Sequence, residues 1–197
     1  MTRRSTNSAG GLTLLELLFA IAIGVTLAGI AVPLTTTTLD HIRTASAARY
    51  MSGRLASLRM EAIRRSTAVA LRFEPAGKDY VYAVFEDRNG NGVRTADIQA
   101  GIDRRISSYE QVGHKFAGVR FALPAGIPDA DGIVTASEDG VRIGVSRILT
   151  MTPEGSCTAG TLYLAGRRGQ YAVRALGATG RTRVLQFDPG ASTWTTR

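Results

Sequence analysis

The chain is 197 residues long and strongly basic, with 24 Lys and Arg against 16 Asp and Glu and a formal net charge of +8. One cysteine, Cys157, excludes an intramolecular disulfide scaffold, and no Walker loop, Cys/His metal spacing or nucleophile elbow is present, so the sequence reads as a non-enzyme. The length fits one anchoring segment and one small domain with a single modest core.

From the N-terminus, residues 1–11 are polar, carry Arg3 and Arg4 and no acid, and lead into a 23-residue apolar run, Leu12 to Leu34, whose one charge is Glu16. At about 1.5 Å per residue, a helix over this run is about 35 Å long, enough for a hydrocarbon core of about 30 Å. The run therefore predicts a transmembrane helix. A lone carboxylate in its outer turns costs about 2–3 kcal/mol on insertion scales and marks a functional position in need of a partner. An ordinary secretory signal has an apolar region of about 7–15 residues, shorter than this one.

Beyond Pro33, the β-branched patch Thr35 to Thr38 is poor for a helix on propensity alone. After Asp40 the pattern turns amphipathic. Met51, Leu55, Leu58, Ala62 and Ile63 share one face, and Arg49, Arg54, Arg59 and Arg64 mostly fall elsewhere. This predicts a helix to about Arg65; continuous from Leu12, it would be about 80 Å long.

From Ala68 the period changes to two. Ala68 to Phe73 and Tyr80 to Glu86 alternate around Pro75-Ala76-Gly77, a hairpin signal. Further predicted strands are Val119 to Leu123, Val141 to Leu149, Thr161 to Ala165, Tyr171 to Ala175 and Arg183 to Phe187, with a loop over Ala125 to Gly132. An antiparallel sheet wrapped on the helix is expected.

The charge is uneven. Residues 40–72 hold seven arginines against two acids, and residues 167–197 six arginines against one aspartate. Two such zones invite an anionic partner, phospholipid headgroups or nucleic acid. Asp87-Arg88-Asn89-Gly90-Asn91-Gly92 fits the first half of a calcium loop, with Asp87, Asn89 and Asn91 as candidate ligands. Its twelfth position is Ile98 where a bidentate acid belongs, and Asn-Gly pairs also make tight turns unaided. No cofactor is otherwise expected. His41 and His114 have no nucleophile or metal partner near them in sequence.

The stretch Gly11-Leu12-Thr13-Leu14-Leu15-Glu16 behind a short basic leader resembles the prepilin leader of type IV pilins and type II secretion pseudopilins. Gly160-Thr161-Leu162-Tyr163-Leu164, Tyr171-Ala172-Val173, Gly180-Arg181-Thr182-Arg183 and Trp194 are similar to the GspH/FimT group of minor pilins and pseudopilins. The resemblance implies that a prepilin peptidase cuts between Gly11 and Leu12 and methylates Leu12. Glu16, then the fifth residue, would serve subunit assembly by pairing with the methylated amine of a neighbouring subunit. The implied fold is α+β and pilin-like, one long N-terminal helix packed on an antiparallel sheet domain. The leader would be 1–11, the transmembrane half 12–34, the amphipathic half 35–66 and a periplasmic β-rich domain 67–197.

The implied protein is a single-pass inner-membrane subunit, its N-terminus cytoplasmic, of a type II secretion pseudopilus or type IV pilus, in contact with other pilin subunits and inner-membrane lipid. The second implied function is DNA capture for uptake, because Gly180-Arg181-Thr182-Arg183 matches a Gly-Arg-x-Arg motif in which the two arginines, here Arg181 and Arg183, contact DNA. Guanidinium forks match phosphate oxygens bidentately.

Overall fold

The computed structural model describes residues 13–196, and of residues 30–36 the backbone alone. The leader, Gly11 and Leu12 lie outside the described residues. In chain order the elements are helix α1 (Leu14–Arg65), strands β1 (Val69–Ala76) and β2 (Asp79–Glu86), and helix α2 (Thr95–Gln99). There follow β3 (Arg104–Arg105), β4 (Glu110–Gln111), helix α3 (Val112–Lys115), β5 (Arg120–Phe121), β6 (Val141–Arg142) and β7 (Ile148–Met151). The chain ends with β8 (Gly160–Ala165), β9 (Gln170–Leu176), β10 (Arg181–Asp188) and β11 (Thr193–Thr196).

This corrects the expected architecture of one long helix packed on one sheet. The chain divides into two compact units, 1–38 and 39–197, and only the stretch from residue 39 belongs to the unit that holds the sheets. Among the described residues there are two antiparallel sheets of eleven strands.

The expected transmembrane helix is likewise overturned. Among the described residues no helix is long and apolar enough to cross a membrane. With it go the single-pass inner-membrane location, the cytoplasmic N-terminus with its periplasmic domain, and the attribution to secretion and transport that rested on them.

In the larger unit the first sheet runs β3-β2-β1-β7, with β4 also on β2, and the second runs β11-β10-β9-β8-β5, with β6 also on β8. The β1–β2 hairpin forms where the Pro75-Ala76-Gly77 signal puts it, with Ala76 opposite Asp79. Gly77 has φ +65, which fits the first central position of a type II′ turn. A Cβ there would touch nothing within 4 Å, so the cost of adding one is purely conformational. Gly77→Ala is expected to destabilise by about 1–2 kcal/mol, read by thermal melting.

Sheet alternation sorts the side chains. Val69, Leu71, Phe73, Tyr82, Val84, Leu149 and Met151 of the first sheet, and Leu162, Leu164, Val173 and Ala175 of the second, share the main core. The same core takes Ala48, Met51, Leu55, Leu58 and Ala62 of α1, fully or almost fully buried at i, i+3/i+4 spacing. Ile63, expected on that face, is turned about 100° from Ala62 and is 43% exposed. The outer face of the first sheet buries Ala70, Ala83, Phe85 and Ile148 under Val93 and Ile98. The outer face of the second buries Tyr163, Ala172 and Leu185 under Leu123, Ile127, Ala130 and Trp194.

Candidate functional site: an apolar segment and an arginine-bearing sheet face

Two regions carry the residues singled out from sequence, and each lies in a different unit. In the first, Thr13 stands just before α1 as its N-cap. Its Oγ1 accepts the Glu16 N–H at 3.2 Å, and its carbonyl accepts the Leu17 N–H at 3.1 Å. Thr13-Leu14-Leu15-Glu16 is thus a Ser/Thr-x-x-Glu capping pattern, and Glu16 sits in the first turn, where the helix dipole favours a carboxylate. The three-residue spacing of Thr13 and Glu16 carries that local role in the sequence itself. Around Glu16 the helix is apolar on every side: Leu14, Leu15, Leu17, Leu18, Phe19 and Ile21 are 49–75% exposed. A helix that is apolar all round is ordinarily buried against something.

In the second region, β10 follows a turn in which the Gly180 N–H donates to the Leu176 carbonyl. Thr182 points toward α1, with its Oγ1 2.7 Å from Ser52 Oγ. Alternation therefore directs Arg181 and Arg183 to the opposite, outer face, and both are exposed. The first half of β10 is an open edge, because β11 pairs only with Leu185–Asp188. Neither arginine has an acid partner among the described residues.

The calcium candidate closes on itself. Asp87 Oδ1 accepts the N–H groups of Asn89 and Gly90, and Oδ2 accepts that of Gly92 at 2.7 Å. Asp103 accepts the N–H groups of Arg88 and Arg94. Asp87 and Asp103 are buried, and their oxygens hold the loop through its own backbone. Among the described residues no three His, Cys, Asp or Glu side chains gather as a metal group would require. His114 lies exposed at the end of α3, and Cys157 is half-buried against the main core, where burial pushes its thiol pKa up.

One buried group was invisible in sequence. Asp40, 9% exposed on α1, receives the backbone N–H groups of Arg167, Arg168 and Gly169 at 2.8–3.1 Å, more than 120 residues away. It ties the tip of the β8–β9 hairpin to the helix. The approach is so close that a Cβ on Gly166 would overlap Thr44 Oγ1 and both Asp40 oxygens. Burial works against the charge on Asp40, but the three N–H donors and the nearby His41 outweigh it and hold the carboxyl below its ordinary value.

A second polar cluster joins α1 to the first sheet: the Tyr50 hydroxyl donates to Glu110 at 2.7 Å, and Arg54 and Lys115 pair with the same carboxylate at 2.8 and 3.0 Å. Burial opposes ionisation of Glu110, and these donors overcome it, so its pKa too is lowered. The Glu110 carboxylate is engaged on both oxygens, which makes the cluster a cross-link between elements, and the buried Arg54 Nε is left without a partner among the described residues. The chain matches no family model, no curated protein and no solved structure.

Proposed function

We propose that this chain is a non-enzymatic minor subunit of a pilin-like assembly, a pseudopilus or pilus, into which it packs through residues 12–29 after removal of its leader. The observation that carries this reading is the exposed, all-round apolar surface of α1 from Leu14 to Leu27 with one carboxylate, Glu16, in its first turn. Exposed apolar area of this extent is stabilised by covering it, at roughly 25 cal/mol per Å². Helices of neighbouring subunits are a cover of matching chemistry. The carboxylate then meets a fixed cationic partner, the amine of the neighbour's mature N-terminus, in a low-dielectric setting where the attraction is strong.

The reading requires a new N-terminus at Leu12. Gly11→Val is expected to block cleavage by a prepilin-type peptidase. The whole leader should then be retained in intact-mass measurement, where the unaltered chain begins at N-methylated Leu12. A mature start near Ala31 or Val32 in the unaltered chain would overturn the reading.

A second reading has its own observation. Arg181 and Arg183 face away from α1, exposed and without an acid partner among the described residues, as contacts to a phosphate backbone would be. In this reading the subunit captures DNA with weak, salt-sensitive and sequence-independent affinity.

A further inference from the structure

Strand register extends the arginine pair into a row. Arg183 on β10 lies directly opposite Arg174 on β9, and Arg174 lies opposite Thr161 on β8, which in turn faces Arg142 on β6. Arg181 falls two residues from Arg183 on the same face, about 6.7 Å along the strand. Like charges directly opposite on neighbouring strands destabilise a sheet, so the Arg174–Arg183 pair is a local cost that invites an anion between them.

The anion the chain itself supplies comes from the segment between β5 and β6. Residues 127–133 lie over this face, fastened by the Trp194 indole N–H on the Pro128 carbonyl at 2.8 Å and the Ala130 N–H on the Tyr163 hydroxyl at 2.9 Å. Two aspartates on this segment reach the row. Asp129, buried, holds Arg142 at 3.0 Å, and Arg142 is further engaged by Thr135. Asp131 holds Arg174 at 2.8 Å, but that pair is open to water, with side chains 36% and 61% exposed. Arg142 is thus locked, whereas Arg174 is held by a contact that solvent and salt weaken.

We propose that Arg174, Arg181 and Arg183 form one phosphate-contacting row for a nucleic-acid strand, and that Asp131 competes with that strand for Arg174. The proposal rests on the DNA-capture reading of Arg181 and Arg183. Where Asp131 makes a single contact from Oδ1 to one Arg174 Nη, a phosphate oxygen pair can take the whole guanidinium fork, and at the same time sits between two cations that repel each other. Asp131 thus lowers affinity and flattens the response to salt, because rising salt weakens the competing ion pair along with the phosphate contacts.

The test uses the full chain and a labelled DNA duplex of arbitrary sequence, followed by fluorescence anisotropy across a salt series. Asp131→Asn is expected to tighten binding by about two- to five-fold, the worth of an exposed ion pair, without changing the melting temperature. Arg174→Gln is expected to weaken binding and reduce the salt slope by about one, and in that background Asp131→Asn should have no further effect. Unchanged affinity in Asp131→Asn and Arg174→Gln, with loss in Arg181→Gln/Arg183→Gln, would overturn the competition and leave the arginine pair standing. No binding by the unaltered chain or by Asp131→Asn at low salt would overturn both.

Discussion

Asp40→Ala is expected to lower the melting temperature of the larger unit by about 10 °C. The substitution removes a carboxylate that accepts three backbone N–H groups and leaves those donors without a partner at a closely packed junction. Charge-assisted bonds contribute about 1.5–3 kcal/mol each at most, and water reaching the exposed hairpin tip compensates in part, so a net loss of about 3 kcal/mol is reasonable. At about 2–4 °C per kcal/mol for a unit of this size, that gives the shift stated.

Asp40→Asn separates charge from geometry. One asparagine oxygen placed where Oδ2 lies still accepts from Arg168 and Gly169, while the amide nitrogen confronts the Arg167 N–H, so about half the loss is expected. The pH dependence has a definite sign. The folded-state pKa of Asp40 lies below its ordinary value of 3.8, so its contribution is complete above that value and disappears as pH falls through the folded pKa. Asp40→Ala should therefore show a flatter stability curve than the unaltered chain in that acid window. Equal slopes would place the acid sensitivity on Glu110 and Asp139, whose pKa values are also lowered.

What the sequence made legible was local. The Pro75-Ala76-Gly77 turn, the spacing of Met51, Leu55, Leu58 and Ala62, and the strand stretches Thr161 to Ala165, Tyr171 to Ala175 and Arg183 to Phe187 are all written within a few residues and appear where they were expected. What it concealed was long-range. The predicted single strand Val141 to Leu149 is two pieces that part company. Val141–Arg142 joins the second sheet and Ile148–Met151 the first, with Arg147 at φ +51 in the turn between them. The alternation of Val141, Ile143 and Val145 breaks at Ser146-Arg147, and Ile148 and Leu149 are both buried, so the run is continuous in composition and not in phase.

The Asp40 latch joins residues more than 120 positions apart and has no motif, because its acceptor meets backbone N–H groups that every residue carries. The Arg174–Arg183 pairing depends on register, which a one-residue slip would abolish. At the other end of the chain the apolar pattern was visible, but composition overrated it as a membrane crossing. The Thr13-to-Glu16 capping pattern gives the carboxylate a reason to sit in the first turn of any helix, whatever surrounds it.

That local reason makes Glu16 the sharpest point at which to test whether the chain is an assembly subunit. An acid in the first turn contributes only about 0.3–1 kcal/mol to its own helix, too little for its loss to unfold anything. Pairing with a neighbour's amine in an apolar interface is worth far more, because removing one partner strands the other charge out of water. Glu16→Ala should therefore be cleaved normally to an N-methylated Leu12 start and keep the melting behaviour of the larger unit, yet be largely missing from filaments or tip complexes sheared from producing cells. Glu16→Gln should fail in the same way. The deciding measurement is the ratio of Glu16→Ala to unaltered chain in such assemblies when both are produced together: a ratio near zero is predicted, and a ratio near one would contradict the account.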